Sequence, residues 1–244
     1  MTKVGKIIEL WRYPVSSLRG ERLEEAALDA HGIVGDRRWG LFDVEAGKVA
    51  APEKEKRWRV APEMQSRLVD DAVEVLAGDG VWRAVGTPEA ASAATEILGF
   101  PVEFRRYEDP FPKGETAASA PRYDRAHLHV LTTASLARLA SLAPADVQVD
   151  VRRFRANVVI ETEPELEGFI EKEWLNRSLA IGSARAIVVE PCERCSFVAL
   201  AQGGLPFAPP VLHTIARHGG GGFGIQVNVT TPGALRVGDE VVLA

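Results

Sequence analysis

Cysteine is scarce in this chain: 244 residues hold only two, Cys192 and Cys195. A single pair excludes a disulfide-stapled scaffold and falls short of the cysteine sets that hold iron–sulfur clusters. It supplies half of a four-ligand structural zinc site, and His213 lies 18 residues beyond Cys195, outside any zinc spacing. No apolar run reaches about 18 residues, so no membrane span is expected. The opening Met1-Thr2-Lys3-Val4-Gly5-Lys6 lacks the apolar segment of a signal peptide, and the expected location is cytoplasmic. Positive charge is in deficit. With 29 Lys and Arg against 34 Asp and Glu, the net charge of -5 argues against a nucleic-acid partner. No internal repeat, low-complexity tract, flavin fingerprint or nicotinamide fingerprint is present. The glycine run 219–222 has no Walker lysine after it.

Hydrophobic residues make up 46% of the chain, enough for one large core or two small ones. Strand-like stretches cover residues 5–13, 23–28, 39–42, 102–105, 127–131, 158–160, 179–189, 197–201, 224–229 and 237–243. Gly78-Asp79-Gly80 between two apolar runs signals a hairpin. Thr87-Pro88-Glu89 opens a helix closed by Gly99. Thr133 can cap a second helix to about Leu142, and residues 210–218 read as a third. Residues 50–67 are charged and irregular. Proline and glycine mark a linker at 111–123. Many short strands with few helices predict a β-rich α+β fold that is barrel-like.

Chemistry concentrates in four places. Pro191-Cys192-Glu193-Arg194-Cys195 follows an apolar strand, and a thiolate is the soft ligand and nucleophile among side chains. Taken alone the pair can be read as a redox couple, as half a zinc site, which its surroundings do not complete, or as one functional thiolate with a neighbour. Gly35-Asp36-Arg37-Arg38-Trp39 and Arg152-Arg153-Phe154-Arg155-Ala156-Asn157 cluster arginines at strand starts. Guanidinium forks suit phosphate and carboxylate, though a solvated edge has the same composition. His127 and His129 share one strand face and read as a half-exposed surface rather than as ligands.

Six stretches in order resemble the MOSC family, in the two-part form whose members include amidoxime-reducing proteins. They are Tyr13-Pro14-Val15-Ser16-Ser17-Leu18-Arg19-Gly20, Gly35-Asp36-Arg37-Arg38-Trp39, Leu131-Thr132-Thr133-Ala134-Ser135-Leu136, Arg153-Phe154-Arg155-Ala156-Asn157, the cysteine motif, and Leu235-Arg236-Val237-Gly238-Asp239-Glu240-Val241. The resemblance implies an N-terminal β-barrel-like domain over residues 1–110, the linker at 111–123, and a MOSC barrel with a few peripheral helices over 124–244. It implies Cys195 as catalytic residue and molybdenum ligand. Ser17, Arg37, Arg155 and Asn157 would hold the pyranopterin of a molybdenum cofactor and its phosphate. Ser16 stands where several relatives carry lysine, and Ala156 where proline is usual. Arg194 would favour the Cys195 thiolate, with Cys192, Glu193 and His213 in support. The implied activity is reduction of small N-hydroxylated or N-oxygenated compounds, with electrons from a separate flavin or iron–sulfur reductase. Two alternatives stay open: a sulfur carrier or sulfurtransferase working through a Cys195 persulfide, and a non-catalytic protein that binds the cofactor.

Overall fold

The computed structural model describes residues 1–107 and 127–244; the expected linker at 111–123 lies outside the described residues. The first half carries β1 (Thr2–Arg12), β2 (Glu21–Leu23), β3 (Glu25–Asp29), β4 (Gly32–Ile33), β5 (Trp39–Asp43), β6 (Gln65–Val69), β7 (Ala72–Leu76), β8 (Trp82–Ala84), α1 (Pro88–Leu98) and β9 (Val102–Arg106). The second carries β10 (Leu128–Thr132), α2 (Thr133–Leu142), β11 (Val158–Thr162), β12 (Ser178–Ile181), β13 (Ala184–Glu193), α3 (Pro209–Gly219), β14 (Gly222–Thr231), β15 (Gly233–Arg236) and β16 (Glu240–Leu243).

Seven strands close a barrel in the order β11, β10, β14, β13, β12, β16, β1, with β1 pairing back onto β11 and β2 added beside β1. The protein is therefore a β-rich α+β fold built on a seven-stranded barrel with few helices. β1 reaches both neighbours because it is long and bulged. Its pairing with β16 shifts register between Lys3 and Gly5, and its pairing with β11 shifts between Ile7 and Glu9. A bulge adds a residue and turns the following side chains to the other face. Hence Val4, Ile7 and Leu10, spaced by three rather than two, all enter the barrel interior, while Ile8 faces an outer layer. Gly5 permits the closure: a Cβ there would lie 2.0 Å from the Glu161 carbonyl oxygen.

The interior is filled by Leu128, Val130, Val158, Ile160, Leu179, Val188, Ile225 and Val227 with the β1 residues. Burying each such side chain contributes about 1.5–3 kcal/mol. On the barrel's outer face, Leu131, Val159 and Phe223 pack against Leu139 of α2 and Val211 and Ile215 of α3. The cap of α2 is Thr132 rather than Thr133: Thr132 Oγ1 accepts from Ser135 N at 3.1 Å. A 3-10 turn, Ile170–Trp174, pins both helices. Glu171 Oε2 accepts from Thr132 Oγ1 at 2.8 Å and Ser135 Oγ at 2.6 Å, while Lys172 Nζ donates to Gly219 O at the end of α3. The strand expected at 197–201 is instead a 3-10 turn, Ser196–Ala199, whose Val198 is buried in the layer beneath α3.

The first half has its own core, with Leu41, Met64, Val75, Ala90, Ala94 and Phe104 around a fully buried Trp58. The expected α1 cap forms, with Thr87 Oγ1 accepting from Ala90 N at 3.3 Å. β7 and β8 form the expected hairpin. Between β1 and β2 the chain leaves the barrel, inserts Val15 and Leu18 into this second core, and returns. Residues 13–20 thus strap the two cores together, and the site lies along that strap.

Candidate functional site

Three of the five residues expected at a site sit in left-handed backbone: Ser17 at φ 69°, Arg37 at φ 52° and Arg155 at φ 55°. Only three other non-glycine residues among those described do so. Such a conformation costs about 1–3 kcal/mol for a residue with a side chain, and it persists where surrounding bonds enforce it. Here they do. Arg37 N donates to Tyr13 O at 2.8 Å, and the Arg155 carbonyl accepts from Arg37 Nη2 at 3.0 Å.

Arg37 enters from the turn between β4 and β5, and Asn157 from the residue before β11. Asn157 Oδ1 accepts from Arg37 Nη1 at 3.2 Å and from His129 N at 3.1 Å. Its Nδ2 donates to Asp36 Oδ2 at 3.1 Å and to Trp11 O at 3.2 Å. Asp36 also pairs with Arg37 Nη1 and accepts from Tyr13 N at 2.7 Å. Both members of the Asp36–Arg37 pair are buried. The arrangement is a polar knot joining β1, the β4–β5 turn and β11, with its charges compensated internally.

Arg155 is also buried and donates to Leu18 O. Its guanidinium lies 4.3 Å from the Tyr13 ring centroid and 5.3 Å from that of Phe197; Arg37 lies 4.8 Å from Tyr13. Cations over ring faces are attracted by the aromatic quadrupole, so Tyr13 holds two like charges close together. Its hydroxyl donates to Ala156 O at 3.3 Å.

Cys195 follows β13, two residues before the Phe197 that Arg155 overlies. It is free and exposed. Ser196 Oγ donates to Glu53 O at 2.8 Å, and Ser17 Oγ donates to Ala50 O at 3.3 Å. One short segment of the first half therefore braces both the strap and the thiol loop. Cys192 is buried, its Sγ accepting from Arg194 Nη1 at 3.2 Å. Arg194, expected to favour the Cys195 thiolate, turns inward instead, with Nη2 donating to Phe154 O at 2.9 Å. His213 is exposed on α3.

His129 departs from the half-exposed reading. It is buried under Arg194, whose Nη2 lies 3.3 Å from Nε2, and burial, followed by the charges of Arg194 and Arg37, holds its pKa well below the usual histidine value. Gly224 makes the room: a Cβ there would lie 2.4 Å from His129 Nε2.

The sequence pointed to Ser17, Arg37, Arg155, Asn157 and Cys195 as candidates; it did not point to Tyr13, Asp36, His129 or the 50–53 brace, which the structure sets against them. The signal for Tyr13 and Asp36 was their place inside the same short motifs. Among the described residues no three His, Cys, Asp or Glu side chains are grouped to hold a metal ion. A metal here would need ligands beyond the protein's own, with Cys195 the accessible thiol. Ser16 Oγ, Arg19 Nε and Gln202 Nε2 are buried without a hydrogen-bond partner among the described residues.

The profile of the MOSC domain matches residues 118–242, and that of the MOSC N-terminal beta barrel domain matches residues 4–96. Molybdenum cofactor sulfurase of Drosophila grimshawi is 27% identical over 256 residues, which take in 91% of this chain and 32% of that protein. The chain thus spans about a third of the length of that curated relative. The crystal structure of the YUAD protein from Bacillus subtilis aligns with a TM-score of 0.51 at 14% identity, over 98% of this chain and 95% of that one. At that identity the likeness concerns the fold.

Proposed function

The chain belongs to the MOSC domain family, with the family's N-terminal β-barrel domain ahead of it, and on that premise we propose that it is a molybdenum-cofactor oxidoreductase. It reduces N-hydroxylated and other N-oxygenated small molecules with electrons from a separate flavin or iron–sulfur reductase, and it works in the cytoplasm. The observation that carries the reading is the exposed, free Cys195, two residues before the Phe197 ring that Arg155 overlies.

The residues fit the group. A molybdenum already held by dithiolene sulfurs accepts a further soft thiolate, and an exposed, free cysteine offers one. The Ser16 hydroxyl, next to Ser17 and without a partner among the described residues, offers a hydrogen bond at the polar end. Ser17, Arg37, Arg155 and Asn157 are the residues that would hold the pterin and its phosphate. When bound, the cofactor supplies two-electron chemistry at nitrogen–oxygen bonds. The chain orients it and keeps its surroundings rigid. The Asp36–Arg37–Asn157 knot and the Tyr13 platform fix the Arg155 backbone, and the braces from Ser17 to Ala50 and Ser196 to Glu53 fix the thiol loop. His129, buried and held neutral, is no proton donor at neutral pH.

Metal analysis of protein made in a host that synthesises the cofactor tests this. The expected result is molybdenum in the wild type, its loss in Cys195→Ser, and donor-dependent amidoxime reduction by the loaded protein alone. Retention of all molybdenum by the variant would remove Cys195 as ligand. The relative named as a sulfurase favours a second reading, a persulfide carrier. The mass of the same wild-type sample separates the two, since an added sulfur of about 32 dalton on Cys195, without molybdenum, supports the carrier.

A further inference from the structure

Cys192 and Cys195 have the spacing of a redox couple, yet the backbone between them is extended. Cys192 and Glu193 end β13, and Cys195 follows at φ -104° and ψ -179°. None of residues 192–195 has left-handed backbone. Glu193 pairs with Gly222, and Arg194 N donates to Gly221 O at 2.9 Å, so the bonding to β14 runs on past the strand's end. At a rise of about 3.3 Å per residue, the two Cα atoms stand about 10 Å apart, whereas a disulfide spans at most about 7 Å. The sulfurs also lie in different surroundings, Cys192 buried and Cys195 exposed. Joining them requires a turn at Glu193-Arg194.

Arg194 opposes that turn. Its side chain points inward on the side of Cys192. Nη1 donates to Cys192 Sγ at 3.2 Å, and Nη2 donates to Phe154 O at 2.9 Å. Nη2 also lies 3.3 Å from His129 Nε2, and the guanidinium overlies the Phe154 ring at 5.5 Å from its centroid. One planar fork thus holds the inner sulfur and the carbonyl that precedes Arg155, tying the thiol loop to the Arg155 turn. Gln226 Nε2, from β14, reaches the same sulfur at 3.7 Å. Arg194 Nε is buried without a partner among the described residues. Hydration favours the opposite orientation, so the contacts at Nη1, Nη2 and the ring are what hold the side chain inward. A turn at residues 193–194 would pull both Nη atoms from their acceptors.

We propose that Arg194 is a positioning residue that keeps this segment extended, Cys192 withdrawn and Cys195 a single outward thiol, so that the pair does not close into a disulfide. The role rests on neither reading of Cys195 given above. A metal ligand and a persulfide carrier both need one outward sulfur with no second thiol in reach.

The test is incubation of the full chain, prepared without molybdenum cofactor, with glutathione disulfide, followed by intact mass. The Cys195 thiolate attacks one sulfur of the oxidant, its S–S bond breaks, and one glutathione leaves as thiolate, so the chain gains one glutathione in a mixed disulfide. Closure requires Cys192 to release its proton to solvent and its sulfur to attack that of Cys195, expelling the second glutathione. The two electrons given up by the cysteines then reside in two reduced glutathiones. Folded wild type should stop at the mixed disulfide, and wild type unfolded in urea should close. Arg194→Met, similar in length but without donors, should close at least about tenfold faster than wild type while folded. Arg194→Lys keeps the charge and loses the fork, so it should fall between them, and it keeps the test open where melting shows Arg194→Met unfolded. Adding Cys192→Ser to Arg194→Met should restore the mixed disulfide. Rapid closure in folded wild type overturns the proposal. So do folded Arg194 variants that stop at the mixed disulfide as wild type does, which would leave the restraint to the β13–β14 ladder alone. Wild type that gains no glutathione overturns the outward thiol. None of these readouts involves molybdenum, so a wild type that never takes up the metal would sink the oxidoreductase reading and leave the role of Arg194 standing.

Discussion

Asp36 shows how much a single carboxylate organises. It takes the Tyr13 amide, the Asn157 amide and the Arg37 guanidinium, and so ties residues 121 positions apart. Removing one member of a buried ion pair costs about 3–5 kcal/mol. Asp36→Asn should therefore lower stability by about that range in urea unfolding, and unchanged stability would mean the knot is dispensable. Asn157→Ala should cost less, because the amide carries no charge of its own and two of its four partners are neutral backbone groups. The sequence made these residues visible as types. Gly-Asp-Arg and Arg-x-Asn announce a shaped loop and an anion-directed fork. It did not reveal that the Arg37 fork also binds the Arg155–Asn157 motif, because that follows from the barrel bringing β11 beside β1. His129 was misjudged for a related reason. Alternation gives the face of a strand but not what covers it, and here Arg194 and the Arg155–Asn157 stretch do.

At the scale of an element, neither alternation nor capping residues marked the turn Ile170–Trp174, yet it fastens α2 and α3. Burial raises the Glu171 pKa, against the hydrogen bonds from Ser135 and Thr132 that lower it. The sign follows from linkage. A carboxyl whose folded pKa lies above the unfolded 4.5 favours folding while protonated, and that contribution is lost as pH rises through the folded value. Glu171→Gln keeps an acceptor and cannot ionise. It should match wild type below about pH 4.5 and melt higher than wild type near pH 7.5, the gap opening with pH. A gap of opposite sign in thermal melts would show that the hydroxyl bonds outweigh desolvation. Residues 50–67 were illegible because their buried members, Ala50, Trp58, Ala61 and Met64, follow neither a helical nor a strand period. Their two 3-10 turns, Lys56–Trp58 and Ala61–Glu63, are set by the core they cover.

At the scale of the molecule, the β-rich class, its barrel-like form and most strands could be read from alternation and turn chemistry, whereas which strands close the barrel could not. The division of the chain near residue 110 is a division of sequence, while β1 hydrogen-bonds to strands on the far side of it. A fragment of residues 124–244 would expose the edges of β11 and β16, and unpaired edges recruit other chains. That fragment should aggregate or lack sharp amide dispersion in NMR spectra, and a peptide of residues 1–12 added during refolding should restore both solubility and dispersion. A fragment that folds alone would mean the seven-strand closure is unnecessary. The same pairing has a consequence for synthesis. Thr2 pairs with Leu243, so β1 meets its β16 partner only after all the residues between them have left the ribosome. Until then the Thr2–Lys6 edge of β1 that meets β16 is unpaired, and its charges at Lys3 and Lys6 guard it against premature pairing with other nascent chains. Folding of this barrel should be slow and late, its rate set by that end-to-end search rather than by any local element.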